Sequence, residues 1–173
     1  MATLREYKGK SCGHIVMILA FMALVMLNGC ATSEERAARA AEQKKKVATA
    51  LMKRNYKIAV DRMYSMRGVS KSVSYGYSVE VRNDSLISYL PYFGRAYSVP
   101  YGGGKGLNFT ERIGSYKEFQ EKSGKRHIEI GLKNEEDTYL YTIVVFDNGK
   151  SSIDVQSRQR ERISFSGDMV VLP

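Results

Sequence analysis

His127 and Glu129 stand two residues apart, so on a strand both side chains would share a face and could act as a base and the group that orients it. A nucleophile in a recognisable setting is missing. Serines are abundant, but none sits in a Gly-x-Ser-x-Gly elbow, and nothing in the order of residues selects two acids from the rest as a pair for glycoside hydrolysis. Asn134-Glu135-Glu136-Asp137 is the one acidic cluster. It lacks the alternating ligands and turn glycine of a calcium loop and reads as a polar hairpin loop. Gly102-Gly103-Gly104-Lys105-Gly106 has no Ser or Thr after its lysine and none of the spacing of a phosphate loop, so it reads as a flexible tip.

The residues best suited to recognition lie between Ser88 and Phe109, SYLPYFGRAYSVPYGGGKGLNF. Five aromatic side chains, Tyr89, Tyr92, Phe93, Tyr97 and Tyr101, fall within thirteen residues there. Each offers a flat apolar face, and the tyrosines add a polar handle, which suits a sugar ring or a protein partner. The competing reading is that Tyr89, Tyr92, Phe93 and Tyr97 pack as a lid over one end of the core. Arg95 lies within the same stretch. Arg158, Arg160 and Arg162 alternate, so on an extended segment they share a face and could hold an anion, or else guard an edge strand or pair with carboxylates. The candidate binding residues are thus Tyr89, Tyr92, Phe93, Arg95, Tyr97, Tyr101, Arg158 and Arg160; no catalytic residue, metal ligand or cofactor is expected.

The start of the chain addresses it. Arg5, Lys8 and Lys10 precede an apolar run of 13 residues, Ile15 to Leu27, which is short for a bilayer core of about 30 Å at about 1.5 Å per helical residue. It has the form of a removable secretory signal, residues 1–29. Leu27-Asn28-Gly29-Cys30 resembles the processing site of a bacterial lipoprotein, with Cys30 as the acylated first residue of the mature chain. Of the two cysteines, Cys12 would leave with the signal, so no internal disulfide is expected. Acyl chains contribute about 0.8 kcal/mol per buried methylene, enough in twos and threes to hold a protein on a membrane.

The whole chain carries a net charge of +9. Loss of the signal removes three basic residues and one acidic one, leaving 24 Lys and Arg against 17 Asp and Glu. Beyond an inner membrane such a surplus points to lipid headgroups, phosphorylated lipopolysaccharide or acidic glycans rather than nucleic acid, or simply to a solvated surface.

The elements that must carry these residues are one helix and a series of strands. Thr32-Ser33-Glu34-Glu35 has the form of a capping box, and the alanines from Ala37 to Ala50 favour helix strongly. Val47, Leu51 and Met52 give that helix its only apolar side, so residues 30–54 read as the lipidated cysteine and a helical spacer. From Tyr56 the apolar period becomes two. Ser72 to Arg82 reads as one half-buried strand, with Asn83-Asp84 turning it into Ser85 to Leu90. Leu107 to Ile113 follows the aromatic stretch, Gly114 to Ser123 reads as a connection, and Arg126 to Leu132 leads into the most strand-like run, Thr138 to Phe146. Asp147-Asn148-Gly149 should turn that run into Ser151 to Ser157, and a last strand, Ile163 to Val171, has Gly167 where a bulge would fit. The expected fold is mainly β (α+β). It is a curled antiparallel sheet, or a partly closed barrel or sandwich, of about seven to nine short strands behind one N-terminal helix, with residues 55–173 as a single domain.

The order Asp84 to Tyr97 (DSLISYLPYFGRAY), GLNF ending at Phe109, FDNG from Phe146 and ISFSG from Ile163 resembles the Bacteroidetes envelope lipoproteins catalogued as domain of unknown function 4251. The likeness covers roughly residues 51–172. It implies a compact β-rich domain on the envelope of a Gram-negative anaerobe, and no catalytic residues, since the family has no established activity. Glu34 and Glu35 just after Cys30 are similar to the signal that sends some lipoproteins of that phylum to the cell surface; either that surface or the periplasmic face of the outer membrane is expected. The leading expectation is a non-enzymatic, membrane-tethered binding or assembly module for a glycan, peptide or protein. The alternative is an envelope enzyme acting on glycans or peptidoglycan, which convergent carboxylates in a cleft would favour.

Overall fold

Helix α1, Ser33–Met52, forms where alanines and long unbranched side chains dominate, with Glu34 and Glu35 in its first turn facing the positive end of the helix dipole. A computed structural model describes residues 33–66, 68, 70–74, 76–97, 106–121 and 123–172; residues 1–32, with Cys30 among them, lie outside these. The chain divides at Arg39, and Ala40–Pro173 forms one compact unit. The C-terminal part of α1 therefore belongs to the β domain. Val47, Ala50 and Leu51, spaced three and four apart on one face, are buried in the core, whereas Met52 points away and is 78% exposed. Arg54, at φ 48°, ends the helix in the left-handed region, and its carbonyl accepts from the Asn83 amide.

Among the described residues ten strands follow: β1 (Asn55–Ser65), β2 (Ser70–Ser72), β3 (Ser78–Arg82), β4 (Ser85–Leu90), β5 (Leu107–Arg112), β6 (Ser115–Gln120), β7 (Arg126–Lys133), β8 (Thr138–Val145), β9 (Lys150–Ser157) and β10 (Ile163–Val171). They make one antiparallel sheet in the order β5-β4-β3-β1-β10-β9-β8-β7-β6, with β2 paired to β1 beside β3. Directly opposed side chains build the inner face. Met63, Phe165, Ile153, Ile143 and Ile128 form one row across five strands, and Ile163, Val155, Tyr141 and Ile130 form the next. All are buried.

Contacts across the interior show that the sheet curls into a half-barrel. The Tyr141 hydroxyl on β8 donates to Ser88 Oγ on β4 at 2.9 Å, and Ser88 donates on to the Leu107 carbonyl at 2.7 Å. The Phe109 ring on β5 lies 4.8 Å from that of Tyr139. Strands far apart in the sheet order thus meet face to face, and among the described residues the core side chains run from Val47 onward.

Three expectations need correcting. Ser72 to Arg82 is not one strand: Gly76, at φ 109°, separates β2 from β3, and β3 is buried on both faces, with Glu80 satisfied by the Arg82 guanidinium. Gly114 to Ser123 is not a plain connection, since β6 occupies most of it. Its Tyr116 and Phe119 have opposite parity, Tyr116 turning inward and Phe119 outward, so alternation does not reveal the strand. The bulge lies on β1, between Val60 and Arg62, rather than at Gly167. Gly167 stands opposite Val60 beside it, where a Cβ would clash with the Ala59 carbonyl oxygen.

The hairpin turns form as their chemistry demands. Asn83, at φ 53°, joins β3 to β4, and Gly149, at φ 87°, closes the turn from β8 to β9 with Asn148 Oδ1 accepting from the Lys150 amide.

Candidate functional site

The aromatic stretch leaves β4 at the buried Leu90 and divides its rings by role. Tyr89 lies on the outer face of β4, stacked on Tyr77 at 5.2 Å between centroids. Tyr92 turns the other way. Its hydroxyl lies 2.9 Å from the Arg95 carbonyl and 3.1 Å from the Glu161 carbonyl, and the Arg160 guanidinium sits 5.5 Å from its ring centroid. Burial, and then the charge of Glu161, raise the Tyr92 phenol above its ordinary pKa. Gly94 is required beside it, as a Cβ there would come within 2.6 Å of the Tyr92 oxygen.

Residues 95–97 then run antiparallel to 159–161. The Glu161 amide donates to the Arg95 carbonyl at 3.0 Å, the Tyr97 amide to the Gln159 carbonyl at 2.7 Å, and Ala96 bridges Arg160. Glu161 adds its carboxylate, whose Oε2 accepts from the Arg95 amide at 3.1 Å. This short ladder fixes the backbone and leaves Phe93, Arg95 and Tyr97 exposed. Tyr101 and the glycine run from Gly102 to Gly104 lie outside the described residues.

Between this segment and the ends of β1 and β2 lies a cleft of about 380 Å³. Met63 and Ser65 of β1, Lys71 of β2, Phe93 to Arg95 and Glu161 line it. Lys71 opposes Met63 in the sheet register, and its ammonium stands 4.9 Å from the Phe93 ring centroid. Concave mouths of barrels with a few charged groups around an apolar lining are common ligand sites. Of the predicted binding residues, the cleft gathers Phe93 and Arg95. Met63, Lys71 and Glu161 come from remote segments that carry no sequence signal for it.

The arginine trio is not an open anion site. Arg160 is buried, with Nη2 3.4 Å from Glu136 Oε2, and Arg162 pairs with Asp154 at 2.6 Å. Only Arg158 of the three is both exposed and without an ion pair among the described residues; its amide donates to Asp137. The 134–137 loop is likewise structural. Asn134 Oδ1 accepts from the Glu136 and Asp137 amides, and buried Asp137 accepts from the amides of Thr138, Arg158 and Gln159. Among the described residues, no group of three or more His, Cys, Asp or Glu stands close enough to hold a metal ion.

His127 does not use Glu129. Its ring stacks on Phe119 at 5.0 Å, and Nε2 lies 2.8 Å from Glu121 Oε1 without the alignment of a hydrogen bond. The histidine sits on the outer face of β7, away from the cleft.

A model described as Domain of unknown function (DUF4251) matches residues 38–169. The chain belongs to this family. A solved relative, the crystal structure of a DUF4251 family protein from Bacteroides eggerthii DSM 20697 at 1.95 Å resolution, has the same fold at a TM-score of 0.60. It is 13% identical, over 78% of this chain and 91% of its own. No curated protein matches the chain.

Proposed function

We propose that this DUF4251 protein is a lipid-anchored module of the cell envelope that binds a partner at the cleft beside Phe93 and Arg95 and catalyses no reaction on it. One observation carries the reading: Tyr92 and the backbone hold the aromatic segment in place, so Phe93 and Arg95 are left over for recognition. A lid whose only task was to cover the core would turn its rings inward. The class of partner is a glycan, a peptide or a protein of the envelope, and tethering through acylated Cys30 to the outer membrane keeps the domain within reach of it.

The test uses the soluble chain from Ala31 as bait against envelope fractions, with Phe93→Ala and Arg95→Gln as partners. Both side chains are exposed, so both variants should fold. Capture that both variants abolish supports the cleft; capture that neither changes removes it from the site. Acyl labelling and outer-membrane fractionation of the full chain should both be lost in Cys30→Ser. Label that persists there overturns the anchor.

A further inference from the structure

The lining of the cleft selects among ligands. Resting on the reading of this cleft as the binding site, we propose that the group of the partner it seats is a small amphiphilic anion, an apolar chain or ring carrying one carboxylate. A volume of about 380 Å³ lies at the small end of the roughly 300–1,000 Å³ typical of sites for small organic molecules. Its lining is mostly apolar, with Met63, Phe93 and Gly94 beside the polar Ser65. A sugar would bring a hydroxyl on nearly every carbon into a space with few partners for them, and each one buried unpaired costs about 1–3 kcal/mol.

Charge sets the head group. Lys71 and Arg95 both line the cleft, and among the described residues neither has an ion pair with a carboxylate. Among the described lining residues Glu161 is the one acid, and its Oε2 already accepts from the Arg95 amide. One positive charge is left over among them, which one carboxylate would balance through charge-assisted hydrogen bonds.

The experiment follows the Met63 methyl group by NMR in the soluble chain from Ala31, assigned with Met63→Leu. The probes are octanoate and 3-phenylpropionate, their neutral amides, and glucuronate. Both carboxylates should shift the signal saturably, the amides should bind at least about tenfold more weakly, and glucuronate should leave it unmoved. Lys71→Gln and Arg95→Gln should each weaken the carboxylates about tenfold and leave the amides unchanged.

Amides that bind as well as the acids overturn the anionic head, and glucuronate binding overturns the apolar body. If no probe moves Met63 while Phe93→Ala still abolishes partner capture, the ligand class is wrong and the cleft stands as the binding site. If Phe93→Ala is also silent, both readings fall.

Discussion

The Tyr92 hydroxyl reaches the Glu161 carbonyl oxygen at 3.1 Å, joining two segments 69 residues apart. Tyr92→Phe keeps the ring and removes this link together with the one to Arg95. The expected loss is about 1 kcal/mol in denaturant unfolding. Faster amide hydrogen exchange at Tyr97 and Glu161 should accompany it, because their bonds form the ladder that Tyr92 closes. Unchanged exchange would mean that the backbone pairing holds the segment without the phenol.

Asp137 ties a second pair of loops together by accepting three backbone amides from a buried position. Asp137→Ala should cost about 3 kcal/mol or more, since each buried donor left unpaired costs about 1–3 kcal/mol. Asp137→Asn retains one acceptor oxygen and should lose less. Urea unfolding of the two variants side by side reads the difference.

Gly167→Ala drives a methyl group into the Ala59 carbonyl at the β1 bulge. The clash is with backbone, so no side chain can swing aside. A destabilisation of about 1–3 kcal/mol is expected, seen as a lower thermal midpoint.

Leu51→Ala and Met52→Ala separate the helix as part of the domain from the helix as a spacer. Leu51 has no solvent exposure, and its truncation should cost about 2–5 kcal/mol. Met52 is mostly exposed, and its truncation should fall within about 0.5 kcal/mol of the parent. Equal, small effects would show that the last turn of α1 contributes nothing to the core.

Burial raises the phenols of Tyr56, Tyr92, Tyr116, Tyr139 and Tyr141 above their ordinary value of 10.0. The folded state favours the neutral form, so on raising the pH the unfolded chain gives up these protons first. Their contribution is therefore fully present below about pH 10 and is lost as the pH climbs through the folded values. Unfolding free energies measured at about pH 8 and about pH 11 should fall between the two, and Tyr141→Phe, which deletes one of the fully buried phenols, should flatten that fall.

Much of the β domain was legible in the sequence because its signals are local. A period of two between Thr138 and Phe146, or turn chemistry at Asp147-Asn148-Gly149, depends on a few adjacent residues whose backbone preferences survive in any fold. Where that logic failed, the cause was also physical. Gly76 breaks an alternating run because φ 109° is open to glycine, and β6 escaped notice because an edge strand with one inward ring needs little apolar patterning.

The recognition site was only half visible. Ser88 to Phe109 stood out by composition, but nothing local distinguishes Tyr92, which pins the segment, from Phe93, which faces the cleft. Arg160 read as a surface cation like its neighbours, yet it is buried against Glu136 and Tyr92.

By itself, then, the amino-acid order determined the antiparallel β class, the helix before it, most turns and the stretch richest in aromatic rings, since each follows from preferences that reach only a few residues along the chain. Only the tertiary structure decided that Met63, Lys71 and Glu161 join Phe93 and Arg95 around one cleft. That choice depends on how far the sheet curls and on where β10 and the 159–161 segment return beside β1. Side-chain contacts between residues about a hundred positions apart set it, and no local pattern encodes them.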